Sequence, residues 1–75
     1  MNSEGRSQLK DVEALLQVAR NMLRSVKWNE EDSSERLPFI LYEERKAEIS
    51  DNLTILEKSI GSVDEILTEL SQLHR

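Results

Sequence analysis

From Gln8 onward the apolar side chains recur at Leu9, Val12, Leu16, Ala19, Leu23 and Val26, spaced alternately three and four residues apart. That alternation is the a/d signature of a helix packed along one stripe. Leu15 and Met22 widen the stripe by one g-type position, a width that suits a bundle better than a narrow two-stranded seam. The pattern predicts a first helix over 7–28, about 33 Å long at about 1.5 Å per residue.

The next stretch, 29–36, reads as an acidic loop. Asn29, Glu30, Glu31, Asp32, Ser33, Ser34 and Glu35 include no apolar side chain and show no period. Ser34 is expected to cap the following helix, with Pro38 in its first turn, where a missing N–H breaks no intrahelical bond.

Beyond the loop a second stripe runs Phe39, Tyr42, Lys46, Ile49, Leu53, Leu56, Ile60, Val63, Leu67, Leu70 and His74, again in threes and fours. Lys46 and His74 are its polar members, of the kind that fixes register at some cost in stability. The stripe predicts a helix over 37–73, about 55 Å long. Gly61-Ser62 is the one point of conflict. Gly61 could stop a helix, and Ser62-Val63-Asp64-Glu65 matches a capping box. A turn, however, has no reason to preserve heptad phase, and one helical Gly costs only about 1 kcal/mol relative to Ala. The continuous helix is the preferred reading, and a three-helix bundle broken at Gly61-Ser62 is the alternative.

The fold class is therefore all-α, an antiparallel helical hairpin with a long second helix. A first helix of 33 Å leaves about 20 Å of a 55 Å second helix uncovered. The C-terminal end, carrying Val63, Ile66, Leu67, Leu70 and Leu73, is the expected overhang. Leu53, Leu56, Ile60, Val63, Ile66, Leu67, Leu70 and Leu73 are accordingly the expected partner interface. They would bury in a coiled coil or four-helix bundle with another chain.

Composition sharpens this picture. A chain of 75 residues buries a modest fraction of its surface, and with no cysteine and a single histidine it has neither a disulfide nor a metal cluster to compensate. Oligomerisation remains. Charged residues form 33% and aromatics 4% of the chain, a balance typical of exposed helices rather than of thick cores. A net charge of -5 argues against a general nucleic-acid binder. Residues 1–28 carry five basic and three acidic side chains, residues 29–75 five basic and twelve acidic, so the two halves attract. Neither a secretory leader pattern nor a membrane-spanning run is present, and the expected location is intracellular, in cytoplasm or nucleus.

Trp28, Phe39 and Tyr42, with the surplus apolar Ile40 and Leu41, flank the expected loop; they either plug the end of the helix pair or anchor a partner. Arg20, Arg24 and Lys27 form a small cationic strip that could meet an anion, or be neutralised by the acids nearby. The loop acids lack the order of a calcium loop, and His74 has no second ligand beside it in sequence. Lys46, with Glu43 and Arg20, could line an anion pocket, but no nucleophile–base pair accompanies them. No catalytic, cofactor or metal site is expected. The functional expectation is a non-enzymatic structural or adaptor subunit that assembles by coiled-coil packing, with itself or with other subunits. The alternative is a small monomeric three-helix regulatory domain that binds a peptide or an anionic surface.

Overall fold

The computed structural model describes residues 1–74 and consists of two antiparallel helices of equal length, α1 (Ser3–Glu35) and α2 (Phe39–Ser71), followed by a 3-10 turn over Gln72–His74. The hairpin is the expected one, but its first helix is longer at both ends.

At its start, α1 is capped by Asn2, whose Oδ1 accepts the Gly5 N–H at 2.7 Å, and Glu4 stands favourably in the first turn. The apolar stripe begins only at Leu9, so periodicity could not locate this end. At its other end, α1 absorbs the whole acidic segment. Glutamate is a good helix former, and i,i+4 pairs support the helix here, Lys27 with Glu31 at 3.8 Å and Asp32 with Arg36 at 3.2 Å. Ser34 does not cap α2. It lies in the last turn of α1 and its hydroxyl donates to the Glu31 carbonyl at 2.8 Å. Glu30, Glu31, Asp32 and Ser34 are half-buried rather than solvated.

Proline decides where α1 stops. The ring of Pro38 disfavours helical backbone at Leu37, and the Arg36 and Leu37 N–H groups close on the Ser33 and Ser34 carbonyls, each at 3.3 Å. The connection is therefore only Arg36-Leu37-Pro38, and among the described residues none has a positive φ. Pro38 itself takes the extended N-cap conformation, φ -54 and ψ 146, with no side-chain cap. The first α2 bond runs from the Tyr42 N–H to the Pro38 carbonyl at 2.9 Å. α2 then passes Gly61-Ser62 unbroken, and the Ser62 hydroxyl donates back to the Lys58 carbonyl at 3.0 Å. The three-helix alternative is not adopted.

Cross-helix pairs fix the register: Arg20 with Asp64, Lys27 with Glu57, Asn52 with Glu30, and His74 with Glu13. Carried to the end of α1, this register sets Glu35 level with Ile49, so the first turns of α2 project past α1. Two observations agree. The long axis of 58 Å exceeds the ~50 Å of a 33-residue helix, and every residue from Pro38 to Glu48 is exposed. The expected overhang at the C-terminal end is thus corrected. Since the acidic segment is helical, α1 reaches along that end of α2, and the unpaired turns of α2 lie at the connection instead, matched at the far end by the first turns of α1.

The seam between the helices is also rotated on one side. On α2 it is the expected stripe, with Ile49, Leu53, Leu56, Ile60, Val63, Leu67 and Leu70 all half-buried. On α1 the seam is made by Leu9, Glu13, Leu16, Arg20, Leu23, Lys27, Glu30 and Ser34, with Ala19 half-buried beside it. Val12 and Val26, expected inside, are exposed; in the seam Glu13, Arg20 and Lys27 alternate with Leu9, Leu16 and Leu23, and Glu30 and Ser34 follow. In this rotation Glu13, Arg20, Lys27 and Glu30 each find a polar partner on α2 or the turn after it. The resulting core is thin. Leu9, at 8% exposure, is the one buried side chain among the described residues. No described helix is long and apolar enough to cross a membrane.

Candidate functional site

Rotation of α1 leaves a second, complete heptad stripe outside the seam. Val12, Leu15, Ala19, Met22 and Val26 are again spaced three, four, three and four, and each immediately precedes a seam residue. Leu15 and Met22 are 69% and 64% exposed. α2 repeats the arrangement. Ile55, Ser59, Ser62 and Ile66 precede Leu56, Ile60, Val63 and Leu67, and the next position of the row, before Leu70, is Glu69.

A residue one position before the seam lies about 100° round the helix from it. Both rows are displaced in the same sense, and because the helices are antiparallel, equal senses bring both rows to one side of the hairpin. Val26 of α1 and Ile55 and Leu56 of α2 indeed line one shallow depression together. The opposite side carries the residues that follow the seam, among them Gln17, Asn21, Arg24, Glu57, Asp64 and Thr68. The hairpin therefore has one apolar and one polar broad face, and the central part of the apolar face, from Val12 to Val26 and from Ile55 to Ile66, has no charged side chain in its two rows.

The residues expected to meet a partner divide between these surfaces. Leu53, Leu56, Ile60, Val63, Leu67 and Leu70 lie in the seam with α1, half-buried, while Ile66 is exposed on the apolar face and Leu73 is exposed in the 3-10 turn. Phe39, Ile40, Leu41 and Tyr42 form the projecting first turn of α2, with Phe39 and Ile40 75% and 71% exposed. They do not plug the helix pair. Trp28 follows the seam residue Lys27, so it stands exposed on the polar face and does not join Phe39 and Tyr42. Those two border a shallow groove of about 780 Å3 beside the connection, with Leu37, Leu53, Lys27 and Glu57 among its other walls.

The cationic strip is engaged across the hairpin. The Arg20 guanidinium donates to Asp64 at 3.0 Å, Arg24 stands 3.9 Å from the same carboxylate, and Lys27 lies 3.3 Å from Glu57. Neutralisation thus comes chiefly from α2, with Glu31 the one contributor from the acidic segment. Lys46 sits in the projecting turns, 57% exposed, and pairs with Glu43 at 2.8 Å far from Arg20, so these residues make no common anion pocket. His74 contacts Glu13 across the far end.

Val12, Leu15, Met22, Val26 and Ile55 are the surface residues that the sequence pattern did not assign to a partner. The signal for them was present in Leu15 and Met22, which widened the α1 stripe, but only the position of the seam shows which edge faces outward. Compared with family models, curated proteins and solved structures, the chain matches none of them.

Proposed function

We propose that this protein is a non-enzymatic structural or adaptor subunit that assembles with other helices through its apolar face. The observation that carries this reading is the second heptad stripe on α1, in phase over Val12, Leu15, Ala19, Met22 and Val26, all exposed but the half-buried Ala19, beside a similar row on α2. A helix with two stripes is suited to two neighbours, and the hairpin supplies one. The thin core supports the same conclusion, since a small domain with one buried side chain gains stability from any partner that covers more apolar surface. The projecting Phe39-Ile40-Leu41-Tyr42 turn, apolar all round, is a second contact point on this reading, because no single partner face within the hairpin can hide it.

Site-directed photo-crosslinking in the native cell tests the proposal. A photoreactive side chain at Met22 or Ile55 is expected to capture a polypeptide, and one at Asn21 or Thr68 on the polar face is not. Equal capture from both faces, or none from either, would show that the apolar face is not a docking surface.

A further inference from the structure

The apolar face has features that select among occupants. Large and small residues face each other across its two rows, Met22 level with Ser62 and Ala19 level with Ile66, while Leu15 and Ile55 stand toward opposite ends. Small residues let a helix backbone approach closely, and the larger ones supply the knobs and holes for its side chains. Val12 to Val26 extends over about 21 Å and Ile55 to Ile66 over about 16 Å, which a single helix of about 14 residues matches.

Charge then decides between a second copy and a different chain. The margins of the face are acidic, with Asp11 on α1 and Asp51 and Glu65 on α2, all exposed, Glu69 exposed within the α2 row and Lys58 the one cation among them. The cations that could have balanced these acids, Arg20, Arg24 and Lys27, are paired with Asp64 and Glu57 in the seam or on the polar face. Two copies face to face would bring these acids together with Lys58 alone among them to offset the charge, in a chain whose net charge is already -5. Flanking charges are what choose partners in helix packing, and like charges in register disfavour the pair. We propose that the apolar face takes a basic amphipathic helix of a different polypeptide. This inference rests on the adaptor reading and adds the chemistry of the partner.

A designed peptide of about three heptads, with Leu and Ile at a and d and Lys at e and g, is a suitable probe against the purified chain. The control peptide differs only by Glu at e and g. Fluorescence anisotropy is expected to show the Lys peptide binding at least about tenfold more tightly than the Glu peptide in about 50 mM salt, with the gap shrinking in about 500 mM salt. Met22→Glu and Ile66→Glu should each weaken Lys-peptide binding by about tenfold or more while circular dichroism shows unchanged helicity, and Thr68→Gln on the polar face should leave it unchanged. Equal affinity for the two peptides, no binding of either, or binding indifferent to Met22→Glu would overturn the proposal. Sedimentation of the chain alone should give a monomer. A dimer abolished by Met22→Glu would make a second copy the occupant, overturning the basic-helix inference while leaving the adaptor reading intact. That reading falls separately, if crosslinking from Met22 in the cell captures nothing.

Discussion

Arg20 of α1 and Asp64 of α2 meet across the hairpin, the guanidinium Nη1 donating to Oδ1 at 3.0 Å from a seam position that the heptad pattern of Leu16 and Leu23 would otherwise leave to an aliphatic side chain. Arg24, one turn on, reaches the other oxygen of the same carboxylate at 3.9 Å. Together they pin the stagger of the two helices, and with it the projection of the first turns of α2. Both partners keep some contact with water, at 27% and 42% side-chain exposure, so the pair ranks nearer a surface ion pair than a buried one.

Asp64→Ala is therefore expected to destabilise the hairpin by about 0.5–1 kcal/mol, with the loss shrinking in about 1 M salt. Urea unfolding of the variant beside the native chain at low and high salt measures it. An effect indifferent to salt would assign the contribution of Asp64 to something other than its charge.

Ile66 and Leu67 are neighbours with different surroundings, and they separate folding from assembly. Leu67→Asp places a charge in the seam and is expected to cost about 2–4 kcal/mol, enough to abolish the helical signal of so thin a core. Ile66→Asp, on the exposed face, should change the stability of the isolated chain by no more than about 0.5 kcal/mol. Circular dichroism melts of the two variants decide it, and equal losses would place Ile66 in the seam as well.

Gly61→Ala should stabilise the protein by about 1 kcal/mol, because Gly61 is an interior residue of α2 and an added Cβ meets nothing within 4 Å. A raised melting temperature is the expected result. A lowered one would mean that the chain turns at this glycine.

Pro38→Ala removes the residue that stops α1. Alanine favours helix over proline by about 3 kcal/mol in a helix interior, and the Arg36-Leu37-Pro38 connection has no positive-φ residue to resist helical backbone. The variant is expected to populate a continuous helix of about 100 Å that pairs with a second copy by exchanging its arms. Light scattering and small-angle X-ray scattering would register the doubled mass and the greater length; an unchanged monomer of native dimensions would show that the seam alone maintains the turn.

The sequence by itself determined that the protein is all-helical and that it folds as an antiparallel hairpin. It also located the inward stripe of α2, since Ile49 to Leu70 holds phase without a slip and so carries α2 through Gly61. These features are local, arising from periodicity and from the modest cost of a single helical glycine. Where the segment from Asn29 to Glu35 belongs was less legible, because its helicity depends on ion pairs and on half-burial of Glu30 and Ser34 beside α2, neither of which an apolar count registers. The tertiary structure alone decided the rotation of α1. Its sequence offers two overlapping stripes that share Leu9, Leu16 and Leu23 with different flanks, and apolar periodicity favours the flank with Val12, Ala19 and Val26. Pairing with Asp64, Glu57, Asn52 and His74 turns Arg20, Lys27, Glu30 and Glu13 inward instead. The valines lie outward with Leu15 and Met22, so the face of α1 that meets α2, and with it the exposed apolar surface on which the proposed assembly rests, is set by contacts between residues distant in sequence, which local periodicity does not encode.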